Sequence, residues 1–135
     1  MELALVLVLM GLAFSHLLST ARYQVDRMAV WGAREDLAGL LHRARMEAIS
    51  SGGAEVVLTA SPPHAKLISR GDTLASAPIG ENYGVALGLS RGREEARLRF
   101  GPLGLCLIAS QTLGITRGEA ETILVVSSLG RVVRR

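Results

Sequence analysis

Gly88-Leu89-Ser90-Arg91-Gly92 matches G-x-S-x-G, the pattern in which some hydrolases display a nucleophilic serine. That chemistry needs a strand before the serine, a helix after it and a histidine further along the chain. Here the residues after Gly92 read as a strand, and His16, His42 and His64 all precede Ser90. The stretch therefore reads as a hairpin turn, and no enzymatic activity is predicted. Cys106, the single cysteine, has no internal disulfide partner and sits in an alternating apolar stretch, which predicts a buried structural thiol. No Cys/His spacing suggests a metal site, and the glycine pairs lack the lysine and helix start of a phosphate loop, so no cofactor is expected.

The remaining chemistry lies in charges. Every one of the 15 basic residues is arginine except Lys66, and the net charge is +3. Three arginines, Arg131, Arg134 and Arg135, close the chain, with Arg117 and the pair Arg97 and Arg99 before them. Such a group could contact phosphates in a salt-sensitive, sequence-blind way, or it could equally be a soluble terminus that blunts an edge strand. With 2 Phe, 2 Tyr and 1 Trp, the chain offers few rings on which bases could stack. Glu2 is the one carboxylate at the head of an uncharged run, Leu3 to Leu18, and could mark a membrane interface. His16, near the end of that run, has no second ionisable residue beside it and reads as an interfacial or subunit-packing residue.

These residues need elements to position them. At about 1.5 Å per residue the uncharged run covers roughly 24 Å, and Ser19, Thr20 and Ala21 extend it towards the roughly 30 Å core of a bilayer. A cleaved signal peptide would have basic residues ahead of its apolar core, and a globular core helix would show a polar face; this run has neither. A retained membrane helix is predicted over residues 1–21. From Arg22 to Ser51 the sequence turns amphipathic: Val30, Ala33, Leu37, Leu40, Leu41, Ala44 and Ala48 recur at steps of three and four. Arg34, Glu35, Arg43 and Glu47 fall mainly on the other side, Arg43 and Glu47 at ion-pair spacing. With no breaker at the junction, one rod from Glu2 to about Ser51 is expected, and Ser50, Ser51, Gly52 and Gly53 end it.

Beyond Gly53 the period becomes two. Glu55–Ala60, Ala65–Ser69, Tyr83–Leu89, Glu95–Phe100, Leu105–Ala109, Gln111–Thr116 and Thr122–Ser127 read as short strands separated by turn residues. Residues 52–135 should form a small antiparallel meander or pair of sheets, covered by the amphipathic helix of residues 22–51. Ala44 and Ala48 would permit close approach. The expected class is α+β. Orientation is in conflict: Arg22, Arg27 and Arg34 follow the apolar run, which places the large C-terminal part in the cytoplasm unless a basic segment precedes Met1.

Several stretches resemble the prepilin-like proteins of type II secretion systems and type IV pili, specifically minor pseudopilins of the GspH/FimT type. Glu2 within MELALVLVLMGLA resembles the glutamate and hydrophobic stretch of these proteins, and Ala44 to Ile49 followed by Val56-Val57-Leu58 resembles the end of their long helix. Phe100-Gly101-Pro102-Leu103-Gly104 and Val125 to Val132 resemble an F-x-P-x-G turn and a V-S-x-x-G-R ending. The resemblance implies a pilin-like fold, a non-enzymatic role and assembly with other pseudopilin or pilin subunits on an inner-membrane platform. It implies a single-pass protein with a periplasmic head, and a Glu2 that meets the N-terminal amine of a neighbouring subunit. Some relatives bind DNA through basic C-terminal residues, which makes DNA uptake the alternative role for Arg117, Arg131, Arg134 and Arg135. Relatives also begin with a short basic leader, then a glycine and usually Phe-Thr, and a prepilin peptidase cuts after the glycine and methylates the new N-terminus. This sequence shows neither that leader nor the helix-bending proline common among them, its first proline being Pro62. In-frame codons for such a leader are predicted upstream of Met1; they would resolve the orientation conflict.

Overall fold

In a computed structural model, which describes residues 2–135, α1 spans Glu2–Ser51 without interruption. The stretch holds no proline, and its Ala, Leu, Met, Arg and Glu favour helix, so its 50 residues rise through roughly 75 Å. Residues 2–25 are all exposed. From Val30 onward one stripe is buried: Val30, Ala33, Leu37, Ala38, Leu40, Leu41, Ala44 and Ala48. This is the predicted stripe with Ala38 added. Gly52 donates its N–H to Ala48 O at 3.0 Å and ends the rod.

The head follows as β1 (Ala54–Ala60), β2 (Pro63–Ser69), β3 (Asp72–Ala77), the short α2 (Ile79–Tyr83), β4 (Ala86–Leu89), a 3₁₀ turn at Ser90–Gly92, β5 (Glu95–Phe100), β6 (Gln111–Arg117), β7 (Ala120–Val126) and β8 (Val132–Arg134). Two four-stranded antiparallel sheets result, in the orders β3-β2-β1-β5 and β4-β6-β7-β8. Alternation does the packing: in β5, Ala96, Leu98 and Phe100 are buried while Glu95, Arg97 and Arg99 are exposed. Val56, Leu58, Leu67 and Leu98 of the first sheet and Leu113, Ile115 and Leu124 of the second are fully buried in one core with Leu37 and Leu41 of α1. Each such side chain contributes about 1.5–3 kcal/mol by leaving water.

Four expectations are corrected. The strand expected at Tyr83–Leu89 begins only at Ala86, because Ile79–Tyr83 form α2, where Ile79 is buried and Tyr83 turns to the long helix. Leu105–Ala109 is not a strand; Cys106 makes one isolated bridge to Phe100, and the rest is irregular. The C-terminal arginines do not form a loose tail: Val132–Arg134 are a strand paired with β7, and Arg135 exchanges main-chain hydrogen bonds with Ile123 at 3.0 and 2.8 Å. Glu47 also departs from its expected partner. It accepts a hydrogen bond from Ser69 Oγ at 3.0 Å rather than pairing with Arg43, tying the end of α1 to β2.

Candidate functional surfaces

The exposed half of α1 is the most distinctive surface. It is long and apolar enough to cross a membrane, and none of that stretch is buried. Its few hydroxyls are turned inward on the helix: Ser15 bonds Leu12 O at 2.8 Å, and Ser19 and Thr20 bond His16 O at 2.9 and 3.0 Å. Polar side chains satisfied in this way are compatible with a lipid or packed-helix environment. Glu2 stands exposed in the first turn, where the helix dipole favours a carboxylate, and His16 is exposed at the other end of the apolar stretch. Met1 lies outside the described residues.

A neck of polar contacts fixes the head where the helix emerges. Arg117 Nε pairs with Asp26 Oδ1 at 2.9 Å, and its Nη1 donates to the carbonyl of Tyr83. Tyr83 in turn donates to Asp36 Oδ2 at 2.6 Å, and its ring lies against Gly32, where an added Cβ would come within 2.6 Å of Cε1. The hydrogen bond to Asp36 raises the phenol pKa above 10.0, with burial and the charge of Asp36 adding in the same direction. Arg117 is thus engaged within the fold. It lines a different groove from the C-terminal arginines.

Those three divide between two grooves. Arg131 and Arg134 line one of about 650 Å³ against α1, where Arg134 Nη2 meets Glu35 Oε2 at 2.9 Å. Arg135 lines the other, about 460 Å³, with Arg27, Trp31 and Arg34. The Arg27 and Arg34 guanidiniums lie 4.7 and 5.6 Å from the Trp31 ring centroid, a stacked basic ridge. The sequence reading passed over this ridge, although the spacing of 27, 31 and 34 places all three on one helical face. Arg97 and Arg99 are elsewhere, on β5 of the first sheet, with Glu55 Oε1 at 3.8 and 3.7 Å.

Ser90 is occupied structurally. Its hydroxyl donates to Thr112 O at 2.9 Å and accepts from Thr112 N–H at 2.7 Å, continuing the β4–β6 pairing by one step. A 3₁₀ turn and then β5 follow it, not the helix that a nucleophile elbow needs. Cys106 is a buried free thiol. Among the described residues no group of three His, Cys, Asp or Glu side chains could hold a metal ion.

No protein-family model matches this chain, and no curated protein sequence does. Among solved structures, the crystal structure of the type IV minor pilin FimU of Pseudomonas aeruginosa is similar over 81% of this chain and 90% of that one, with a TM-score of 0.64 and 19% identity. The chain therefore has a pilin fold: a long N-terminal helix, apolar and exposed in front, packed behind on antiparallel sheets.

Proposed function

We propose that this protein is a GspH/FimT-type minor pilin, a structural subunit that assembles through α1 into a type II secretion pseudopilus or a related type IV pilus. The observation that carries this reading is the division of α1. One half carries a stripe buried in its own head, and the other presents a mainly apolar surface that nothing among the described residues covers. Lipid holds such a surface before assembly, and neighbouring helices replace lipid afterwards at little net cost. Glu2 then meets a neighbour's N-terminal amine, because a carboxylate at the edge of an apolar filament core needs a partner. The head faces the periplasm, and the partners are other pilin-type subunits, the inner-membrane platform and a prepilin peptidase. The test is disulfide trapping in cells that contain the assembly machinery, with two cysteines per chain placed on opposite faces of α1 within residues 5–18. A ladder of cross-linked species that disappears with Glu2→Ala is expected; a monomer with every such pair would overturn the reading.

A second reading, DNA binding during uptake, is favoured by one observation: Arg131 and Arg134 line one groove, and Arg135 lines another with Arg27 and Arg34. Duplex DNA titrated onto the full chain at low and raised salt tests it. Salt-sensitive affinity that falls with Arg135→Ala supports uptake, and no binding at low salt removes it.

A further inference from the structure

β8 is the last strand of its sheet, and one of its edges is unused. Ser127 donates its N–H to Arg131 O at 2.9 Å, and Arg135 exchanges both bonds with Ile123. Val133, opposite Val125, has the same phase. Since main-chain groups alternate in direction along a strand, the N–H and C=O of Val132 and Arg134 point away from β7. An open row of this kind is a template for one more strand.

That edge borders the groove of about 650 Å³, within the range of about 300–1,000 Å³ usual for ligand sites. Gly130 to Arg134 form one wall, and the α1 stripe of Ala38, Gly39, His42 and Arg45 forms much of the other. Gly39 is exposed, and a Cβ built on it meets nothing within 4 Å, so the helix wall leaves room. The rim is mostly cationic. Its one carboxylate, Glu35, is already shared between Arg34 and Arg134, both at 2.9 Å, which leaves Arg45 and Arg131 to face an incoming anion.

We propose that this groove receives an extended, acidic segment of another protein chain, which adds to β8 as a further strand of the sheet. Its main chain pairs with Val132 and Arg134, and its carboxylates face Arg45 and Arg131. A peptide fits better than a nucleic acid here. The outward carbonyls of Val132 and Arg134 need a donor, which a peptide N–H supplies and a phosphate does not. The inference concerns the head alone and does not rest on filament assembly.

The full chain, isotope-labelled in zwitterionic detergent, is titrated with a short peptide alternating valine and glutamate. The same peptide N-methylated at either set of alternate amides, and duplex DNA of matched charge, are titrated beside it. The plain peptide should slow amide exchange at Val132 and Arg134. Only one N-methylated register should bind, because the other blocks the paired edge. Arg131→Glu should weaken binding about tenfold by reversing a rim charge. Gly39→Leu, which fills the groove with a good helix former, should abolish binding while leaving the far-ultraviolet dichroism unchanged. The proposal is overturned by unprotected Val132 and Arg134 amides at peptide concentrations on the order of 1 mM. Equal binding of both methylated registers, or protection by DNA and not by peptide, overturns it as well.

Discussion

Gly130 rests directly on the carbonyl oxygen of Gly104, so closely that a Cβ at position 130 would run into it. Both residues are buried and hold positive φ, 72° and 71°. A Cβ on Gly104 would itself lie 3.0 Å from Ile49 Cδ1 and 3.1 Å from Arg45 Cγ. The turn after β5 and the turn before β8 are therefore two halves of one contact, pressed against the end of α1. Gly130→Ala should cost about 2–5 kcal/mol, combining left-handed backbone strain with a clash against backbone that cannot swing aside. Urea unfolding of the detergent-solubilised chain, followed by circular dichroism, measures it. Ser128→Ala on the exposed part of the same turn should stay within about 0.5 kcal/mol. A Gly130→Ala variant as stable as that control would show that the turns do not brace each other.

This contact also shows what was legible beforehand. The stripe from Val30 to Ala48 was readable because helical period survives any tertiary context, and the alternation in Glu95–Phe100 was readable for the same reason. β3 was not: Asp72–Ala77 is an exposed edge with little apolar contrast, made a strand by pairing with β2 across Arg70-Gly71, both at positive φ as a type I′ hairpin turn requires. β8 was missed because an arginine-flanked terminus looks soluble, and only β7 beside it supplies the partner. Leu105–Ala109 failed the other way, with alternation in a segment left outside both sheets. For the surfaces, charge type and order were visible while pairing was not. No local pattern joins Arg117 to Asp26 or Arg134 to Glu35.

The Tyr83 phenol makes stability depend on alkaline pH. Its pKa is raised in the folded state, first by the hydrogen bond to Asp36, so the folded chain keeps that proton longer than the unfolded chain does. The contribution is complete below the unfolded value of about 10 and is lost as pH rises through the higher folded value. The share that belongs to Tyr83 is read as the difference between the chain and its Tyr83→Phe variant. The thermal midpoint should fall above about pH 10, and Tyr83→Phe should flatten that fall while costing about 1 kcal/mol at neutral pH. Identical alkaline slopes in the two proteins would discount the Asp36 bond.

Arg117 offers a clean separation of structure from anion binding. Its ion pair with Asp26 is partly exposed, with 36% and 25% of the two side chains accessible, so screening limits its worth to under about 1 kcal/mol. The hydrogen bond to Tyr83 O adds about 1 kcal/mol. Arg117→Ala should therefore lower stability by about 1–2 kcal/mol and speed amide exchange in β6 and α2. Any change in DNA affinity should be much smaller than for Arg135→Ala. A loss of DNA affinity with stability intact would reverse that assignment.

One substitution made twice tests the division of α1 itself. Leu37 is fully buried in the core, whereas Leu9, on the same helix, is exposed. Leu37→Ala removes buried methyl groups and leaves a cavity, which costs about 2–5 kcal/mol. Leu9→Ala removes the same atoms from a surface with no intramolecular neighbour, so head stability in detergent should change by less than about 0.5 kcal/mol. Its effect belongs to the environment of the helix: poorer partition into the bilayer and a weaker cross-linked ladder. If Leu9→Ala unfolds the head as Leu37→Ala does, the front of the rod is buried within its own chain, and no free apolar surface remains to build a filament.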